Sequence, residues 1–360
     1  MKIIIDIGHP GHVHYFKNLI RYLNERGHEF LIIAREKDII INLLIINDIP
    51  FVKRGEGKNS RIGKFRYMLK ADILIYKLAK KFKPDLFLSF SSPYAAQVSF
   101  LLGKPNIALN DTEHTDKIHS VFTYPFCSSI LTPKSYLTNL GIKQIRFNSV
   151  VESLYLDKNF YQPNIDIKND LNLKDGQPYV VLRFVSWNAH HDYGQSGLDY
   201  ETKIKLIELL KNKFKVFISS EGELSEEFKA YQLNISPEKM HDVLAFADLF
   251  IGESATMASE SSLLGTQSVY INSLPLMGYL KFEQDSGLLK HFESTEGVIK
   301  YVENLVQESD LKLNALKKAH IMKRGFINTT TFLAWFIENY PQSEKIMKDD
   351  SNYQNIFISN

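Results

Sequence analysis

The stretch "GESATMASE", residues 252–260, holds the residue types best spaced for ligand chemistry. Gly252 closes an apolar run, and Ser254, Ala255 and Thr256 are small residues at the start of the next helical segment. A helix start offers backbone N–H groups without intrahelical acceptors and the positive end of the dipole, and small side chains let a phosphate approach. Glu260 follows about one turn later, where a carboxylate can accept two hydrogen bonds from a ribose diol. Serine capping with a solvent-facing Glu260 is the plain alternative.

Three further clusters carry polar chemistry. "DIGHPGHVHYF", residues 6–16, sets His9, His12 and His14 behind an apolar run. Zinc is a poor fit, because His12 and His14 diverge and no cysteine supports them. The other readings are a histidine that takes a proton or bonds a phosphate, and imidazoles that only cap or pack. "ALNDTEHTDKIHS", residues 108–120, follows a strand end and places Asp111, Glu113 and His114 on a loop. Asp111 or Glu113 can act as base or orient His9; equally, Asp111 or Thr112 can cap the next helix. "VLRFVSWNAHHDYGQSG", residues 181–197, sets Arg183 on an apolar strand. A guanidinium there calls for an anion, a diphosphate or an internal carboxylate. Trp187 and His190, with His191 and Asp192, make an aromatic polar loop suited to a sugar or acceptor. Consecutive His190, His191 and Asp192 diverge too far to share a metal.

The elements that must position these groups alternate. "KIIIDI", "EFLIIA", "DLFLSF", "NIALN" and "SILT" read as buried strands with helical segments between them. Phe16, Leu19, Ile20 and Leu23 recur at helical spacing before Gly27, a helix stop. "YVVLRF", "KVFIS", "DLFIG" and "QSVYIN" repeat the plan, with helices near 200–213, 238–247 and 256–264. The expected class is α/β: two Rossmann-like doubly wound domains facing a cleft, with ligands at the carboxyl ends of the strands. The first domain is expected over residues 1–160 and the second over 161–324, with a helix near 325–340 packing back on the first and 341–360 a loose polar tail.

With 360 residues, 44% of them hydrophobic, the chain can fill two cores. A net charge of +2 and the absence of any nucleic-acid motif argue against nucleic acid as partner. Cys127 is the sole cysteine, so no disulfide framework exists and a reducing cytoplasm is expected. Asp6 and Gly8 interrupt the opening apolar run too early for a signal peptide, and no apolar stretch approaches the ~20 residues of a membrane span.

The run from Met240 through "ADLFIGESATMASESSLLG" resembles the nucleotide-sugar motif of GT-B glycosyltransferases, above all the peptidoglycan N-acetylglucosaminyltransferases. Asp248, Ser254, Thr256, Glu260 and Gly265 stand at the motif's places, while Ala255 replaces its usual Gly. The resemblance implies that residues 254–256 bind a diphosphate, Glu260 the ribose, and backbone near Met240 the base, with UDP as nucleotide. It further implies that "GHPGHVH" puts a histidine, His9 or His12, beside the acceptor and the donor sugar. As a whole the chain is similar to GT-B-like proteins of bacterial and archaeal surface-polysaccharide synthesis, and to UDP-N-acetylglucosamine 2-epimerases.

The function so implied is metal-independent glycosyl transfer from a nucleotide sugar, with no cofactor, in polysaccharide or glycolipid synthesis. Epimerisation is the alternative; against it, Ser91 and Ser92 stand where epimerases carry an acid, and Leu182 where they carry a histidine before Arg183. A binding protein without catalysis is the third reading. Residues 58–83 hold nine Lys/Arg and one acid, Asp72, interleaved with apolar residues. This segment is either a solvated basic helix or a surface for anionic lipid on the inner face of the membrane, suiting a saccharide or polyprenyl-linked acceptor.

Overall fold

The computed structural model describes residues 1–57, 60–185, 197–220 and 222–358. The chain divides into two compact units, Met1–Phe160 with Gly325–Asn360, and Tyr161–Arg324.

The first unit is built on strands β1 (Lys2–Ile7), β2 (Glu29–Ala34), β3 (Phe51–Lys53), β4 (Leu86–Phe90), β5 (Asn106–Leu109), β6 (Ser129–Pro133) and β7 (Gln144–Phe147). They lie in the order β3-β2-β1-β4-β5-β6-β7, and every pairing is parallel. Helices cover both faces, which is why "KIIIDI" does not alternate between apolar and polar. Ile3, Ile5 and Ile7 join Phe16 and Leu19 of the helix Pro10–Asn24. Ile4 turns the other way, to Ile75 and Ala79 of the helix Arg61–Phe82 and Val98 of the helix Pro93–Leu101. The order reverses between β1 and β4, so the topological switch point lies at their carboxyl ends.

The far end of the chain completes this unit. The helix Thr329–Glu338 is capped by Asn328 and contributes Phe332, Leu333, Phe336 and Ile337 to the core that holds Phe16 and Leu19. Glu338 receives Arg26 at 2.7 Å and His28 at 3.0 Å. The segment 341–360, expected as a loose tail, is folded as far as residue 358: a helix spans Gln342–Asp349 and a 3-10 turn Ser351–Phe357. Met347 is buried, Tyr353 stacks on Trp335 at 5.0 Å, and Gln354 Oε1 accepts the Asn148 backbone N–H at 2.7 Å. The polar composition hid three apolar anchors, Met347, Tyr353 and Phe357, spaced to reach the core.

The second unit has strands β8 (Tyr179–Phe184), β9 (Lys215–Ser220), β10 (Leu249–Gly252), β11 (Gln267–Ile271) and β12 (Leu289–Phe292), in the order β12-β11-β10-β8-β9. All pairings are again parallel. One face buries Val180, Leu182, Leu249, Ile251, Val269 and Ile271 against Leu206 and Leu210 of the helix Tyr200–Leu210 and Val298 and Val302 of the helix Val298–Leu305. Its switch point lies between β8 and β10. The helix Ala255–Leu263 runs into Gly265, whose φ of +76° suits glycine, and a Cβ there would stand 2.6 Å from Leu316.

Candidate functional site

At the carboxyl edge of the first sheet a buried charge network underlies the histidine turn. Asp6, one residue before the end of β1, is almost without exposure, and Arg54 follows β3. Arg54 Nε donates to Asp6 Oδ1 at 2.7 Å, with side-chain exposures of 3% and 1%. Such burial is tolerated only when the remaining hydrogen-bonding positions are filled. Ser92 Oγ donates to Asp6 Oδ2 at 2.5 Å, Arg54 Nη1 reaches the Tyr67 hydroxyl, and the guanidinium lies 4.5 Å from the Tyr94 ring centre. Gly8 sits directly above: a Cβ there would come within 3.3 Å of Arg54 Nη2. Burial, then the charge of Asp6, pushes the Asp72 carboxyl up to about 7, while Arg54 opposes the shift. Asp72 Oδ1 is buried without a hydrogen-bond partner.

His9 is the N-cap of the helix Pro10–Asn24, its Nδ1 accepting the Gly11 amide at 3.2 Å. A neutral ring that accepts at Nδ1 carries its proton on Nε2, so capping makes His9 a donor. To serve as a base at Nε2 it must first change tautomer. His12 Nδ1 accepts the Gly8 amide at 3.3 Å, and its ring lies 5.0 Å from Phe90. Burial, then the neighbouring His9 and Arg54, holds His12 well below the usual histidine range. Neutral at physiological pH, it braces the turn. The His14 ring lies 5.4 Å from Tyr155.

After β5, Asp111 is buried and accepts Thr112 Oγ1 at 2.7 Å. Burial raises its carboxyl to about 6; the Thr112 bond opposes the rise, and Glu113 adds to it. Glu113 Oε1 accepts the Leu137 amide at 2.9 Å, tying two loops together. Asp116, which no spacing in the sequence marks out, accepts the hydroxyls of Tyr124 at 2.7 Å and Tyr136 at 2.5 Å. Both hydroxyls also accept from the Asn110 amide.

At the second edge the chain is buried along 249–263 except at Ser254, Ala255 and Thr256. Ser254 caps the helix Ala255–Leu263, its Oγ accepting the Met257 amide at 3.4 Å. Gly252 pairs with Arg183 across β10 and β8, and a Cβ on it would lie 2.6 Å from Arg183 Cβ. The Arg183 guanidinium turns to the neighbouring strand β9, its Nη1 donating to Ser219 Oγ at 2.8 Å. The Glu253 carboxylate is buried and accepts the amides of Val185 and Leu198, each at 2.8 Å. Trp187 and His190, with His191 and Asp192, lie outside the described residues.

Glu260 does not face open solvent. Its Oε1 lies 3.0 Å from His241 Nε2, with side-chain exposures of 7% and 9%. His241 follows Met240 at the start of the helix Met240–Phe246. Neither His241 nor Glu253 was singled out in the sequence. The available signal for His241 was its adjacency to Met240; for Glu253, a charge inside a buried turn.

Among the described residues no group of three or more His, Cys, Asp or Glu is placed to hold a metal ion. An open depression of about 640 Å³, lined in part by Lys104, Cys127, Lys143 and Tyr340, sits at the amino edge of the first sheet, opposite the network under Gly8.

One protein similar in sequence and two solved structures similar in fold stand out. An uncharacterized protein of Methanocaldococcus jannaschii, MJ0665, is 25% identical over 319 residues, covering 84% of this chain and 91% of the relative. UDP-GlcNAc 2-epimerase from Neisseria meningitidis, solved with UDP-GlcNAc, is similar with a TM-score of 0.63 and 11% identity, over 97% of this chain and 99% of that one. The Streptomyces sp. SF2575 glycosyltransferase SsfS6, complexed with thymidine diphosphate, has a TM-score of 0.61 and 17% identity, over 94% and 99%. The fold is therefore the α/β architecture shared by GT-B glycosyltransferases and UDP-GlcNAc 2-epimerases. The model of one sequence family matches residues 1–324, and the chain belongs to that family, DUF354, described as proteins of unknown function.

Proposed function

We propose that this protein is a glycosyltransferase that takes its sugar from a nucleotide donor, most simply a UDP-sugar, and needs no metal. The observation that carries the reading is the second-sheet edge, where a small-residue helix start is the sole break in a buried stretch and a fixed carboxylate lies one turn behind it. In this reading the amides at Ser254, Ala255 and Thr256 receive the diphosphate, Arg183 adds positive charge, Glu260 takes the ribose and backbone near Met240 meets the base. The leaving diphosphate is neutralised by fixed dipoles and a cation already in place. On the first unit, His9 donates to the acceptor or donor sugar. Asp111, with a carboxyl near 6, is the better-poised base, and Glu113 shapes its loop. His12 and, in the loop after β8, Trp187 and His190 are the proposed sugar or acceptor contacts.

The proposed acceptor is a saccharide or a polyprenyl-linked one in cell-surface polysaccharide or glycolipid synthesis, reached from the cytoplasmic face. In support, the helix Arg61–Phe82 exposes Ile62, Phe65, Leu69, Ile73 and Tyr76 along one stripe, flanked by exposed Lys64, Lys70, Lys77 and Lys80. That combination suits an anionic lipid surface. Among the described residues no helix is long and apolar enough to cross a membrane.

A second reading, epimerisation of UDP-GlcNAc, draws on the Neisseria relative and on two raised carboxyls, Asp72 and Asp111, that could move a proton at a sugar carbon. The test incubates UDP-, GDP-, TDP- and CMP-sugars with and without saccharide acceptors and follows both nucleotide release and the C2 configuration. Acceptor-dependent UDP release supports transfer; acceptor-independent inversion at C2 supports epimerisation; neither, with UDP still bound, leaves a binding protein.

A further inference from the structure

Glu260 carries three rotatable bonds, and an unrestrained glutamate loses that freedom when it grips a ligand. In this structure the freedom is already removed. His241 Nε2 meets Glu260 Oε1 at 3.0 Å, both side chains buried. The imidazole is held in turn. Tyr161 sets its ring edge-on at 6.0 Å and 76° to His241. The same Tyr161 donates its hydroxyl to Asp242 Oδ1 at 2.6 Å, and the Asn164 amide donates to that oxygen at 3.0 Å. The opening residues of the second unit thus clamp the first turn of the helix Met240–Phe246, and that turn clamps Glu260.

We propose that His241 is the positioning residue for ribose recognition: its Nε2–H fixes the Glu260 carboxylate in the one orientation that receives a 2′,3′-diol. This rests on the nucleotide-sugar reading above and adds its specificity device. A carboxylate presents about four lone-pair sites, so a bond from the imidazole is compatible with acceptance of two sugar hydroxyls. A carboxylate held for both hydroxyls selects ribonucleotides over deoxyribonucleotides, because loss of one hydroxyl leaves a buried acceptor unfilled.

The test compares UDP with 2′-deoxy-UDP by isothermal titration on the full chain, in wild type, His241→Phe and His241→Gln, with melting curves to establish folding. Phe keeps the ring against Tyr161 but cannot donate; Gln keeps a donor. The expected result is a preference for UDP of about tenfold in wild type. In His241→Phe the preference collapses towards one through weaker UDP binding, with deoxy-UDP affinity unchanged, and in His241→Gln it is largely restored. An unchanged preference in the folded Phe variant overturns the role of His241 while leaving the nucleotide reading intact. A Gln variant that folds but prefers UDP no more than Phe does also overturns it. A wild type that binds no nucleoside diphosphate at millimolar concentration sinks the nucleotide reading itself, and the role of His241 with it.

Discussion

The two sheet edges solve the problem of presenting polar groups in opposite ways. The first buries full charges: Asp6 and Arg54 are sealed under Gly8 and satisfied by Ser92, Tyr67 and Tyr94. The second presents backbone and small side chains at Ser254, Ala255 and Thr256, with its acid held by His241. A buried ion pair fixes a turn rigidly but leaves little of its own charge for a ligand. An uncluttered helix start keeps its dipole available. The first edge is therefore suited to holding acid–base groups in place, and the second to receiving an anion.

The comparison breaks most decisively at Arg54. Arg54→Ala strands the Asp6 carboxylate in the core and is expected to cost about 3–5 kcal/mol in urea denaturation; a loss under about 1 kcal/mol means the network does not hold the first edge. Glu260→Ala is the matching cut at the second edge. It should weaken UDP binding by about 2 kcal/mol, read as a reduced ligand-induced melting shift, and an undiminished shift removes Glu260 from the nucleoside site. Asp72 sharpens the contrast through pH. Its folded carboxyl, near 7, lies above the usual 3.8, so the folded state keeps the proton longer. The associated stability is complete below pH 3.8 and is lost as pH rises through 7. Discounted for partial exposure, the loss is about 1 kcal/mol, and Asp72→Asn should flatten that part of the stability profile. Ser254→Ala removes a long cap bond and should cost only about 0.5 kcal/mol; a much larger cost makes the turn a structural keystone rather than an open site.

Legibility followed distance along the chain. The nine residues from Gly252 to Glu260 carry strand end, small turn and acid within one local pattern, so their placement could be anticipated. So could the fully buried parallel strands, whose apolar runs announce themselves. Strands β3, β7 and β12 went unread because "FVK", "QIRF" and "LKHF" are short and mix charge with apolar residues. The Asp6–Arg54–Ser92 network was invisible because its members come from three separate strand ends and meet only through sheet order. His241 lies nineteen positions before Glu260 and carries no periodic signal toward it. His9 has the residue type of a base, but its capping bond, which residue type does not reveal, makes it a donor.

The second unit is inserted within the first: its chain begins at Tyr161 and ends at Arg324, and only afterwards do Phe332, Leu333 and Phe336 reach the core around Phe16. During vectorial synthesis the inserted unit has its whole sequence available while its host still awaits its last layer. A chain cut at Arg324, where the family match also stops, would leave the apolar flank of the helix Pro10–Asn24 facing water.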